Sequence, residues 1–65
     1  MKLTINGTAR QIDDGTTIVD LVLEQAATTE GVAVAVDGEI VHRASWNDRL
    51  ADGQAVELIT AMQGG

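Results

Sequence analysis

The sequence predicts an α+β fold, with one helix laid across one face of a β-sheet. Three observations predict it. Asn6-Gly7 and Asp37-Gly38 each separate two short runs with strand character, as tight hairpins do. Between those hairpins, Ile18 to Ala26 carries apolar residues at helical spacing. After them, Gln54 to Thr60 returns to strand character.

Taken in order, Lys2-Leu3-Thr4-Ile5 alternates polar and apolar residues, the pattern of a half-buried strand. Asn6-Gly7 fits a turn that needs positive φ at both central positions, and Thr8 to Ile12 is the weaker return strand. Asp13-Asp14-Gly15 breaks the pattern into a loop. Thr17 with Asp20 three residues on forms a capping box that opens the helix. Ile18, Leu21, Val22 and Ala26 make its apolar stripe, which Val19 and Leu23 widen; Thr28 to Gly31 ends it, with Gly31 available for a left-handed exit. Val32 to Val36 reads as an interior strand, and Glu39-Ile40-Val41 returns from the second hairpin. His42 to Leu50 is irregular, with one helical turn expected around Ser45 to Asp48. Asp52-Gly53 makes a third turn before the last strand. The expected order is therefore ββ-α-ββ-β, in a domain of residues 1–61 followed by a flexible tail, 62–65.

At 65 residues the chain is near the lower limit for independent folding. It has no cysteine, so neither disulfides nor thiolate chemistry is available. Ten acids stand against Lys2, Arg10, Arg43 and Arg49, a net charge of −6. That balance argues against nucleic acid, whose phosphates select basic surfaces, and suits steering toward a basic protein partner. No stretch is long and apolar enough to span a membrane, and no signal-peptide pattern opens the chain; a cytoplasmic location is expected. Lys2 is the only lysine, which argues against a tag extended through its own lysines.

Period-two alternation assigns the strand faces. Leu3, Ile5, Val32, Val34, Val36, Val56 and Leu58 should face the helix, with Ile12, Val41, Trp46 and Leu50 closing the ends of the core. The opposite face then carries Thr4, Ala33, Ala35, Glu57, Ile59 and Ala61. A free sheet face is normally covered by long polar side chains, so this run of small and apolar residues reads as a docking surface leading toward the C-terminus. Met62 extends it as a flexible docking side chain or serves as a spacer.

The chain given ends Gly64-Gly65. Two residues without Cβ atoms form a thin stalk that can enter a channel too narrow for side chains, and they present a backbone carboxylate. A carboxylate is a poor electrophile until another enzyme adenylylates it, after which it is an acyl donor.

The hairpins at Asn6-Gly7 and Asp37-Gly38, the single helix, the run Leu50-Ala51-Asp52-Gly53-Gln54-Ala55-Val56-Glu57-Leu58 and the final Gly64-Gly65 together resemble the ubiquitin-like β-grasp sulfur carriers, and most closely the ThiS family of thiamine biosynthesis. The resemblance spans the whole chain and implies a β-grasp: a mixed sheet of four to five strands on one helix. It also implies a cycle in which a ThiF-like adenylyltransferase uses ATP to activate the Gly65 carboxylate, a sulfur donor system converts it to a thiocarboxylate, and a ThiG-like thiazole synthase takes the sulfur. Gly65 would carry the sulfur, Gly64 would give slim access, and Ile59 would sit where such carriers present an apolar contact to the adenylating enzyme. The chain would bind no cofactor and perform no catalysis of its own. Gln63 stands where some relatives have a third glycine. The rivals are a MoaD-like small subunit of molybdopterin synthase, a protein-conjugating tag that joins Gly65 to a target lysine, and a β-grasp binding module in which the Gly-Gly is incidental.

The residues that invite an enzyme reading are few. One histidine, His42, without cysteine does not make a metal site. Asp13 and Asp14 favour the turn and the positive end of the helix more than acid–base work. Ser45 has no evident base, and Trp46 is expected to fill one end of the core.

Overall fold

The computed structural model describes residues 1–60. Strands β1 (Lys2–Ile5) and β2 (Thr8–Gln11) form the first hairpin, helix α1 spans Ile18–Ala26, and β3 (Val32–Val36) with β4 (Glu39–Val41) forms the second hairpin. A short 3-10 turn, Arg43–Ser45, leads to β5 (Ala55–Thr60). The five strands lie in the order β2-β1-β5-β3-β4. β5 runs parallel to β1 and antiparallel to β3, so the last strand in sequence is the central one and joins the two hairpins. One helix on this mixed sheet is the ubiquitin-like β-grasp.

The hairpin turns have the backbone expected of them: φ is 50° at Asn6 and 85° at Gly7, and 51° at Asp37 and 86° at Gly38. Two consecutive left-handed residues match the twist of the flanking strands. Both turns also reach sideways to β5. The Leu58 N–H donates to Asn6 Oδ1 at 2.9 Å, and the Ala55 N–H donates to Asp37 Oδ1 at 2.9 Å. The backbone supports the same joints, with Asn6 N–H on the Val56 carbonyl at 2.9 Å and Asp37 N–H on the Ala55 carbonyl at 2.7 Å.

The helix opens on the capping box. Thr17 is the N-cap, the Asp20 N–H donates to its hydroxyl, and the Thr17 N–H donates to the Asp20 carboxylate. Ile18, Leu21 and Val22 are buried against Leu3, Ile5, Val32, Val34 and Val56, with Trp46 and Leu50 completing the core. Ile12, Ala26, Val36, Val41 and Leu58 pack against it partly buried, so every strand residue assigned to this face lies on it.

Three expectations change. Leu23 is 48% exposed and does not widen the buried stripe, because the helix lies on the sheet through Ile18, Leu21 and Val22, with Val19 and Ala26 packed partly buried beside them. The helix leaves through Ala27, whose φ of 63° is left-handed and whose N–H closes on the Leu23 carbonyl. Gly31 is left-handed as well, at 70°, but it bends the loop into β3 and does not cap the helix. The expected turn over Ser45 to Asp48 is present, closed by the Asp48 N–H on the Ser45 carbonyl at 3.0 Å, but it is preceded by a 3-10 helix over Arg43–Ser45 that was not expected.

Candidate functional site

The outer face of the sheet, away from α1, is built by the residues that alternate with the core. The register places Ala33 beside Ile59, and Ala35 between Glu57 on β5 and Ile40 on β4. Thr4 lies beside Ala55 on the other flank of β5. Ile59 is 54% exposed and Ile40 63%, the two most exposed large apolar side chains among the described residues.

Ala33 is exposed. Ala35 is not: it lies on the predicted face but is only 6% exposed. Its methyl group is the floor between two longer side chains, Ile40 and Glu57, in the same cross-strand row. Such neighbours sit about 4.5–5.5 Å apart and cover so small a group. Ala35 shapes the surface without presenting itself. Ala61, Met62, Gly64 and Gly65, also named from the sequence, lie outside the described residues.

Ile40 was missed by sequence reasoning as a surface residue. The signal was present: Val41 packs on the core, so its neighbour in a strand faces the other way. A three-residue edge strand gave that alternation little weight.

The side chains that invited an enzyme reading are occupied otherwise. Trp46 is 5% exposed, donates from Nε1 to the Val41 carbonyl at 3.2 Å, and carries the Arg43 guanidinium 4.8 Å above its ring. Arg43 also donates to the Thr29 carbonyl, pinning the 3-10 turn to the loop after α1. The Asp13 carbonyl accepts from the Thr16 backbone and hydroxyl, closing the turn ahead of the helix. Asp14 pairs at 3.1 Å with the ammonium group of Met1. His42 is exposed and precedes the 3-10 turn without capping it through its side chain. Among the described residues no cluster of His, Cys, Asp or Glu could hold a metal ion, and no helix is long and apolar enough to cross a membrane.

The outer face thus carries small residues between the exposed side chains of Ile40, Glu57 and Ile59, and β5 runs along it to Thr60. The family model of the ThiS family matches residues 3–65, nearly the whole chain and through both terminal glycines. The chain belongs to the ThiS family. Among solved structures, this ThiS-family chain is similar to the crystal structure of the thiamine biosynthesis protein ThiS from Geobacter metallireducens, at 32% identity and a TM-score of 0.81, with all of both chains covered. It is similar also to the NMR solution structure of a thiamine biosynthesis protein from Geobacter metallireducens, at 30% identity and a TM-score of 0.80, covering all of this chain and 88% of that one. No curated protein matches the sequence.

Proposed function

We propose that this ThiS-family chain is a sulfur carrier of thiamine biosynthesis, and that Gly65 is the residue that carries the sulfur. A ThiF-like adenylyltransferase docks on the outer face and transfers AMP from ATP to the Gly65 carboxylate, releasing pyrophosphate. A sulfur donor system supplies sulfur at the sulfide level, which displaces AMP and leaves a thiocarboxylate. A ThiG-like thiazole synthase then takes that sulfur for the thiazole ring, and the carboxylate is restored. The carrier is a substrate of its partners, not an enzyme, and ATP is bound by the adenylating partner. The setting is cytoplasmic, where ATP is available.

The observation that carries the reading is the family match through Gly65 on a β-grasp whose central strand leads to that end. The chemistry agrees. A terminal thiocarboxylate is ionised at neutral pH and nucleophilic, and it delivers sulfur only to a partner that also recognises the domain. Two glycines admit the end group to a narrow active site.

The test is intact-mass measurement after incubation of the full chain with ATP, the adenylyltransferase and the sulfur donor. The expected product has the mass of one oxygen-for-sulfur exchange, and removal of Gly65 abolishes it. Conjugates to other proteins would point to a tag instead. Rescue of a deletion strain by the thiazole precursor, and not by molybdopterin, assigns the destination of the sulfur.

A further inference from the structure

Glu57 is placed unlike any other acid of the chain. It occupies the outer face of the central strand, exposed, with Ala55 and Ile59 two residues away on either side and Ala35 across the strand pair. No cation pairs with it among the described residues, where the one ion pair is between the Met1 ammonium and Asp14. Lys2 shares the face by parity, but the β1–β5 register sets it two cross-strand rows away, about 13 Å along the strands. Arg43 is held over Trp46 and against the Thr29 carbonyl. The neighbours of Glu57 on the face are Ala35, Ala55 and Ile59, and the nearby Asp37 carboxylate is already engaged by the Ala55 N–H, which leaves Glu57 as the unengaged charge there. Ile59 lies about 7 Å along the strand, and Ile40 about 10 Å across two strand spacings.

We infer that the adenylating partner grips this face through one cation seated on Glu57, with apolar pockets on two sides of it that receive Ile59 and Ile40. The inference rests on the carrier reading and deepens it by naming what the partner must present. Charge complementarity favours this occupant: the chain carries −6 and steers basic surfaces toward itself. The cation is an arginine by preference, because its planar fork meets a carboxylate with two parallel bonds and tolerates apolar surroundings better than an ammonium does. The small residues have a role in this arrangement. Ala33, Ala35 and Ala55 let the partner surface come close enough to expel water around the pair, where one unmatched charge discriminates strongly. Two apolar contacts and one charge at a corner fix the orientation of the docked domain, and with it the direction in which β5 delivers the tail.

The experiment compares Glu57→Gln, Glu57→Lys and Ile40→Ser with the unaltered chain in adenylyltransferase-dependent exchange of pyrophosphate into ATP, as a function of carrier concentration. Glu24→Lys, on the exposed side of α1, makes the same charge change on the opposite layer. The expected result is a KM raised about tenfold or more by Glu57→Lys and less by Glu57→Gln and Ile40→Ser, with kcat unchanged, as for loss of uniform binding. Glu24→Lys should change KM by less than about twofold. Thermal unfolding of each variant checks that the fold is kept, and Glu57→Gln preserves shape if Glu57→Lys does not fold. An unchanged KM for Glu57→Gln and Glu57→Lys, or an equal rise for Glu24→Lys, overturns the inference while leaving the carrier reading intact. Failure of the unaltered chain to support exchange is the separate result that removes the carrier reading itself.

Discussion

The two faces of the sheet are drawn from the same strands, yet they solve different problems. On the face toward α1, β3 and β5 contribute Val32, Val34 and Val56, all buried. On the other face the same strands contribute Ala33, Ala35, Glu57 and Ile59, and β4 adds Ile40. The inner residues are large, branched and enclosed, and the hydrophobic stabilisation of so small a domain resides in them. The outer residues are small or half in water, so the fold owes them little. The difference teaches that the outer face is free to be specified by recognition.

That comparison can be broken by mutation. The largest effect is expected from Leu21→Ala, which removes a side chain only 1% exposed and leaves a cavity against the inner face. A loss of about 2–5 kcal/mol is expected in urea unfolding, enough to leave a chain of this size partly unfolded at 25 °C. Asn6→Ala comes next, with about 1–2 kcal/mol lost: it removes the acceptor for the Leu58 N–H and replaces a residue that tolerates a φ of 50° with one that tolerates it less well. Asn6→Gly keeps the backbone freedom and isolates the hydrogen bond. Ala27→Gly should raise stability by about 0.5–1 kcal/mol, read as a higher thermal midpoint, since alanine is held left-handed there. Ile59→Ser should shift stability by no more than about 0.5 kcal/mol, as a half-exposed substitution. Yet it should raise the KM for adenylylation. If Ile59→Ser instead unfolded the domain as Leu21→Ala does, the division between the two faces would be wrong.

Much of the fold was legible because its signals are local. The capping box needs only Thr17 and Asp20, and the hairpin turns need only Asn6-Gly7 and Asp37-Gly38. The core list follows from alternation once each strand exists. What was not legible depends on neighbours distant in sequence. Ala35 is covered because Ile40 and Glu57 flank it, and this requires the strand order. Leu23 is exposed because α1 turns Ile18, Leu21 and Val22 to the sheet, a choice of face that the helical pattern alone leaves open. Ala27 takes a glycine's conformation with nothing in its residue type to announce it. On the outer face, the exposure of Ile59 and Ala33 follows from alternation and that of Ile40 was not anticipated, while the roles proposed for Gly64 and Gly65 rest on resemblance and chemistry.

The bond from Leu58 to Asn6 joins residues 52 positions apart, across the seam between the first hairpin and the central strand. Until β5 has been synthesised, the two hairpins have no strand between them and the helix has only half a sheet to cover. A nascent chain interrupted before Ala55 therefore cannot close its core, and it offers proteases an open substrate. Assembly of the core thus waits on the synthesis of β5, and chains interrupted before it stay out of the folded pool.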